Sequence, residues 1–347
     1  MQTRTEGISF GFDASTGLLD GFTVQDGGQS IAPLHRAPWV GTAEAMPPTA
    51  APHIATLGGD FFCAPFAMSE EGSPMHGWPA NAPWTVVAHA NGTLRAVLSR
   101  PVRGATLVKE LAVEDGHPFV YQRHVFIGGT GRMPVSNHAN VALRHGGLIR
   151  TSPKRRWETT ANPQETDPAR GRSALLYPAQ SADLQTFPGS NGPCDLTRYP
   201  WNPRHEDFVM GVEAPGHWLG WTAVTRPAEG DLYLSLRNAH DLPMTMLWHS
   251  NGGRDYAPWS GRHVGCLGVE EGATGHMLSL STEADLSGPS ALHLGGVTEV
   301  RHVIGAIAWP SGEGVADIVP GDGFIDIRGE AGATRRVPCR TDLLKDA

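Results

Sequence analysis

Along much of the chain apolar residues recur at every second position, in short runs cut by glycine, proline and Asx turns, which is the signature of half-buried strands. ISFGFD, turn residues at 14–17 and LLDGFTVQD predict a hairpin over 8–24. Residues 27–56 are turn-rich and poorly periodic. WTVVAHA, LRAVLSR, ATLVKELAVED and FVYQRHVFIGG then follow in close succession, with turns such as Asn91-Gly92 and Asp115-Gly116 between them, and predict an antiparallel meander. VSNHANVALR reads as the next strand. Residues 151–206 break the pattern with many Pro, Arg and Asp, and predict an excursion over the sheet rather than a separate domain. Strand patterns resume in FVMGVEA, HWLGWTAVTR, DLYLSLRN and MTMLWHSN, then in GCLGVEEG, VTEVRHVIGAIAW and GFIDIRG. Only 282–294 offers a short helix. With no internal repeat or linker, the expectation is one all-β domain over residues 1–347, mostly antiparallel, with two facing sheets.

Composition sharpens this. The 43 glycines and 28 prolines exceed the usual ~12% share by a wide margin, and charged residues make up only 18%. That suits many short strands joined by turns and excludes a helical bundle. The net charge of −8 argues against a phosphate-tracking nucleic-acid surface. The one basic run, Lys154-Arg155-Arg156, is expected to be a solvated loop, with an anion contact as the alternative. Cys63, Cys194, Cys266 and Cys339 are far apart and form no CxxC pair, so neither a zinc site nor a disulfide framework is indicated. MQTRTEGISF lacks an apolar signal region and no run approaches a membrane span, so a soluble, reduced, cytoplasmic protein without membrane partners is expected. Exposed strand edges leave monomer or homodimer open.

Three stretches hold candidate chemistry. Residues 57–84, LGGDFFCAPFAMSEEGSPMHGWPANAPW, are dense in Gly, Pro and aromatics and carry a single histidine, His76. Such a loop is costly to order unless it builds something, and aromatic faces suit the apolar C–H faces of a sugar, so it is read as a wall of a sugar pocket. In SNHAN, alternation puts Ser136, His138 and Asn140 on one face and Asn137 on the other. Three polar positions in a row suggest a pocket-lining strand; a histidine on a solvated sheet face is the plain alternative. In GCLGVEEG, Cys266, Gly268 and Glu270 share one face and Leu267, Val269 and Glu271 the other. The Leu/Val face is read as core and the Cys/Gly face as hollowed for a ligand beside Glu270; the alternative puts both glutamates on a solvated turn. Trp248 and Trp259 suit either core or ligand platform. No GxSxG elbow, base-paired cysteine or metal-ligand spacing is present, which leaves a Glu/His general acid–base pair as the simplest chemistry.

These residues resemble the aldose 1-epimerase, or galactose mutarotase-like, family. GGDFFCAPF at 58–66 with HGWPANAPW at 76–84 is similar to its Gly-Pro loop and HG-x-x-x-N-x-x-W motif; Asn137-His138 falls where the second histidine stands, and LGVEE at 267–271 resembles the strand carrying its glutamate base. The resemblance implies a β-supersandwich and cofactor-free interconversion of the α and β anomers of a free aldose. Glu270 would be the base and His138 the acid, with His76, Trp248, Trp78, Asn81 and Asn137 binding the sugar. Ala80 stands where the branch acting on phosphorylated sugars has an arginine, which argues against a hexose 6-phosphate unless Arg155, Arg156 or Arg204 substitutes. Asp195 and Asp207 are candidates for the family's mid-chain aspartate and Arg36 for its N-terminal arginine. The alternative from another class is a non-catalytic sugar-binding or sugar-sensing protein on the same fold. A lyase or hydrolase would want a tyrosine base or two well-spaced carboxylates, which the sequence does not favour.

Overall fold

The computed structural model of the protein describes residues 1–70, 72–90 and 92–345, so Asn91 of the expected Asn91-Gly92 turn lies outside the described residues. The architecture is the all-β, mostly antiparallel sandwich that the alternation predicts. One large sheet has 11 strands and the other nine. The centre of the larger sheet consists of β1 (Asp60–Cys63), β2 (Val135–Ala142), β3 (His205–Glu213), β4 (Met244–Asn251) and β5 (Cys266–Ala273), in the spatial order β1-β2-β5-β4-β3. The expected N-terminal hairpin, Ile8–Asp13 with Leu18–Asp26, extends this sheet beyond β1, with a register shift between Ser9 and Gly11. In the second sheet Trp84–Ala90, Thr93–Leu98, Ala105–Ala112 and Phe119–Gly128 pair with their sequence neighbours, as the meander reading requires.

The core lies between the two sheets. Phe10, Phe62, Val141 and Val269 from one meet Leu107, Phe126, Tyr233 and Ile304 from the other, all buried. Because successive strand residues point to opposite faces, the same strands cover a second layer. Leu234, Trp221 and Ile307 leave the second sheet outward and pack on a three-stranded sheet of Val315–Pro320, Phe324–Gly329 and Thr334–Pro338, an addition to the two sheets expected. On the outer face of the first sheet a third cluster gathers Trp39, Phe61, Phe66, Phe208, Met246, Trp248 and Trp259 beneath the long loops. The site lies in that layer.

Three expectations change. Residues 151–206 are only partly an excursion: Lys154–Thr159 extends the first sheet beyond β3, with the two-residue strand Gln180–Ser181 at its edge. Lys154-Arg155-Arg156 is therefore not a solvated loop. A register shift between Lys154 and Arg156 breaks the alternation, so Lys154 is turned inward, with Nζ 2.8 Å from Glu213 Oε1, while Arg156 pairs with Asp285 at 3.1 Å and Arg155 donates to the Asp285 carbonyl. The stretch 282–294 forms a single 3-10 turn, Glu283–Asp285, capped by Thr282, and then the strand Leu292–Leu294, rather than a helix. No helix among the described residues is long and apolar enough to cross a membrane.

Candidate functional site

A cavity of about 560 Å³ opens on the outer face of the first sheet. Its floor is His138 on β2, Glu270 on β5, Phe208 on β3 and Trp248 on β4; loops supply His53, Phe66, His76, Gln164, Arg254, Tyr256, Trp259 and His276. β2 and β5 pair antiparallel with His138 directly opposite Glu270. Both side chains therefore emerge on the same face, with His138 Nε2 3.1 Å from Glu270 Oε1. The hollow beside them depends on Gly268, where a Cβ would stand 2.8 Å from Glu270 Oε1 and 2.9 Å from Trp248 Cβ. Phe61, opposite His138 on β1, stacks on the imidazole at 4.4 Å between ring centroids.

The loop 57–84 closes one side. His76 has a left-handed backbone, φ 71°, which few non-glycine residues adopt. At Gly77, also φ 71°, a Cβ would lie 2.0 Å from the Ala64 carbonyl oxygen, so this close return of the chain requires glycine. The turn brings His76 edge-on to both His138 and His53. Its Nδ1 accepts from the Ala67 N–H, leaving Nε2 as the donor of a neutral ring. His53 has the opposite polarity. Asn81 Nδ2 donates to the Met75 and Gly77 carbonyls, so its Oδ1 accepts from the backbone N–H and Nδ1–H of His53, and His53 Nε2 is an acceptor.

Burial favours the uncharged forms of the cavity's histidines and of Glu270. Burial lowers His138 to about 3 and His53 to about 4, and burial, with His53, His138 and the Arg254 guanidinium nearby, takes His76 well below its ordinary value. Burial, reinforced by the charge of Glu271, pushes Glu270 well above the usual carboxylate range. Arg254 is matched by the buried Glu206, 3.0 Å away, which also accepts from the Trp248 indole N–H and from Ser250 Oγ. The guanidinium lies 4.2 Å over the Trp259 ring. An aromatic-walled hollow with neutral donors and acceptors and one exchangeable proton on a Glu/His pair suits an uncharged, hydroxyl-rich ligand.

Of the residues singled out from the sequence, the cavity brings together Glu270, His138, His76, Trp248 and Trp259. Asn81, Trp78 and Asn137, expected to bind the ligand, do not line it. Asn81 is consumed by the loop and His53. Trp78 packs against the inter-sheet core with the Arg100 guanidinium 4.8 Å from its ring. Asn137 points to the inner face of β2, as its place in the alternation dictates. Asp207 is buried and bound by the Ala174 and Leu175 N–H groups, the Tyr177 hydroxyl and His205; Asp195 caps a turn at Thr197. Neither lines the cavity, nor does Arg36. Glu271 is not on a solvated turn. It faces the inter-sheet layer, bound by Thr222, Thr245 and Arg237. His53, Gln164, Arg254 and Glu206 were not legible as site residues, because they come from aperiodic loops or a strand end; the only local signal was the Gly-Gly-Arg turn before the aromatic stretch DYAPW.

No family model and no curated protein matches the sequence. Among solved structures the chain is similar to an Escherichia coli K12 protein described as a candidate aldose 1-epimerase, with a TM-score of 0.59 and 12% identity over 88% of this chain and 97% of that one. It is similar to a galactose mutarotase related enzyme from Lactobacillus acidophilus, with a TM-score of 0.51 and 9% identity over 88% and 96% of the two chains. A TPR-domain containing protein from Parabacteroides distasonis matches with a TM-score of 0.53 and 12% identity, over 88% of this chain and 46% of that one. At these identities the likeness is one of fold. The chain has the galactose mutarotase-like β-sandwich fold.

Proposed function

We propose that the protein is an aldose 1-epimerase that interconverts the α and β anomers of a free, unphosphorylated sugar. The observation that carries this reading is the His138–Glu270 pair, two groups able to exchange protons 3.1 Å apart on the floor of an aromatic-walled cavity. In the charged form of the pair, the Glu270 carboxylate takes the proton of the C1 hydroxyl. His138 gives its proton to the ring oxygen as the C1–O5 bond breaks. The pair is then neutral, the form that burial favours. The aldehyde turns about C1–C2, and closure on its other face returns both protons. On this reading His76 Nε2–H and His53 Nε2, both in the cavity lining, hold sugar hydroxyls and Trp248 packs on the sugar.

Among the described residues that line the cavity the one arginine, Arg254, is matched by Glu206, which favours an unphosphorylated substrate. Arg155 and Arg156 are turned to Asp285, Arg204 to Asp255 and the Gly252 carbonyl, and none of the three lines the cavity. Polarimetry on freshly dissolved α-D-glucose and α-D-galactose tests the reading. The wild type is expected to speed the approach to anomeric equilibrium, and Glu270→Gln to abolish that gain. The neutral resting state of both groups also suits a sugar-binding protein without turnover. Saturable binding across a sugar panel with no acceleration for any sugar bound would establish that second reading and overturn the first.

A further inference from the structure

Behind the tryptophan wall, outside the cavity lining, three side chains from two distant segments converge. His35, His263 and Cys266 each offer a ligand atom, and the three atoms all lie within 4.8 Å of one another. All three residues are buried. Neither ring nitrogen of His35 has a hydrogen-bond partner, and neither does His263 Nε2. A buried polar group left unpaired is costly, so unpartnered nitrogens on both imidazoles of this cluster call for an explanation.

The surroundings supply one. Ser250 Oγ donates to Glu206 Oε2 at 2.9 Å and so accepts from His263 Nδ1 at 2.7 Å, which leaves the Nε2 lone pair of His263 free. A metal-ligating histidine is held in this way, its second ring nitrogen tied to an outer partner. The backbone is fixed at each ligand: His35 N–H donates to the Asn140 carbonyl, the His263 carbonyl accepts from Gly252, and Cys266 N–H donates to the Tyr199 hydroxyl. A surface groove lined by Arg144, Tyr199 and Gly265 reaches His35.

We propose that His35, His263 and Cys266 form a site for one borderline-soft divalent cation of the Zn²⁺ type, with water from the groove as fourth ligand. Imidazole and thiolate together select such ions, and four-coordinate Zn²⁺ needs its ligand atoms about 3.3–3.8 Å apart, which small side-chain rotations reach from the present spacing. Binding forms one Zn–S and two Zn–N bonds and releases the Cys266 thiol proton to solvent. The thiolate and Glu206 offset the positive charge that Arg144 and Arg254 bring to this corner. The ion would tie the His35 loop to the first residue of β5, the strand of Glu270, and fix His263, which stacks on Trp248 with centroids 5.5 Å apart. Its role is structural, and it does not depend on what the cavity binds.

Metal binding by the full chain, stripped with chelator and dialysed, tests this. Wild type is expected to take up about one equivalent of added Zn²⁺, to melt at a higher temperature with it, and to give with Co²⁺ a tetrahedral spectrum with a thiolate-to-metal charge-transfer band. Cys266→Ala should lose that band, and His35→Phe should weaken binding at least about tenfold. Absence of stoichiometric Zn²⁺ or Co²⁺ binding by the wild type would overturn the proposal whether or not the variants fold. So would a Co²⁺ spectrum without a thiolate band, or one unchanged in Cys266→Ala.

Discussion

His138 and Glu270 stand opposite each other in the β2–β5 register, and Nε2 of one lies 3.1 Å from Oε1 of the other. On the proposed reading each carries one of the two proton transfers. Glu270→Gln and His138→Asn are each expected to reduce anomer exchange by about 10²–10⁴-fold, the usual worth of a positioned acid or base. Polarimetry measures the loss, and a thermal melt checks the fold. Glu270→Gln should melt no lower than wild type at pH 8. Burial raises the Glu270 pKa, so its ionisation costs stability as pH climbs from the unfolded value toward the folded one. Glutamine carries no such cost. Full activity in either variant would remove the pair from the mechanism.

The next residue behaves in the opposite way. Glu271 faces inward to Arg237 Nη1 at 2.7 Å, Thr222 Oγ1 at 2.6 Å and Thr245 Oγ1 at 2.8 Å. Arg237 continues to Glu213, which burial pushes up but Lys154 and Arg237 hold down at about 2. Glu271→Ala would leave a guanidinium buried without its full complement of carboxylates and is expected to destabilise the fold by about 3–5 kcal/mol. Urea unfolding checks this; a loss below about 1 kcal/mol would show that the network relaxes or hydrates.

Asn81 separates positioning from contact. It does not touch the cavity, but its side chain fixes the His53 ring and ties two carbonyls of the 57–84 loop. Asn81→Ala is expected to weaken sugar binding about tenfold, or 1.4 kcal/mol, through the loss of His53 orientation. It should also lower stability by about 1–3 kcal/mol, because buried carbonyls lose their donor. Calorimetric titration with a sugar the wild type binds reads the first effect. Unchanged affinity in a destabilised variant would leave Asn81 a purely structural residue.

The sequence and the structure agree where side-chain direction follows from strand period. In SNHAN and GCLGVEE the period of two puts His138 and Glu270 outward and Asn137 and Glu271 inward, and burial of both faces does not disturb that logic. Agreement stops at motifs set in turns. In HGWPAN the histidine reaches the cavity, but the 3-10 turn Trp78–Ala80 sends Trp78 to the core and spends Asn81 on backbone carbonyls. His53, Arg254 and Glu206 depend on which loops the sheet order brings together, and no local periodicity encodes that. The His35–His263–Cys266 cluster was hidden for the same reason: ligand spacing along the chain is informative only when the ligands share one local element.

Acid should unfold this protein through its buried histidines. Burial holds His35 and His53 at about 4 and His138 and His302 at about 3, against an ordinary value of 6.5. A depressed pKa contributes stability that is complete above 6.5 and is lost as pH falls toward the folded value, because the unfolded chain binds the proton first. Asp60, which burial raises to about 6, and Glu270, Glu206 and Glu271, which burial also raises, work in the other direction as pH falls, so these carboxyls offset part of the loss. His124 isolates the effect. It is fully buried, stacks on Phe62 at 3.9 Å between centroids, and neither ring nitrogen has a partner. Burial, with Lys109 and His302 nearby, takes its pKa well below the ordinary value. In His124→Phe any packing cost is independent of pH, whereas the wild type's penalty grows by about 1.4 kcal/mol for each pH unit below 6.5 until its folded pKa is reached. The stability difference between variant and wild type should therefore shift in the variant's favour by about 2–3 kcal/mol between pH 6.5 and 4.5. Urea unfolding at several pH values measures it. Parallel curves for the two proteins would mean that His124 is protonated and paired in the native state, which would require a water or carboxylate partner inside the sandwich.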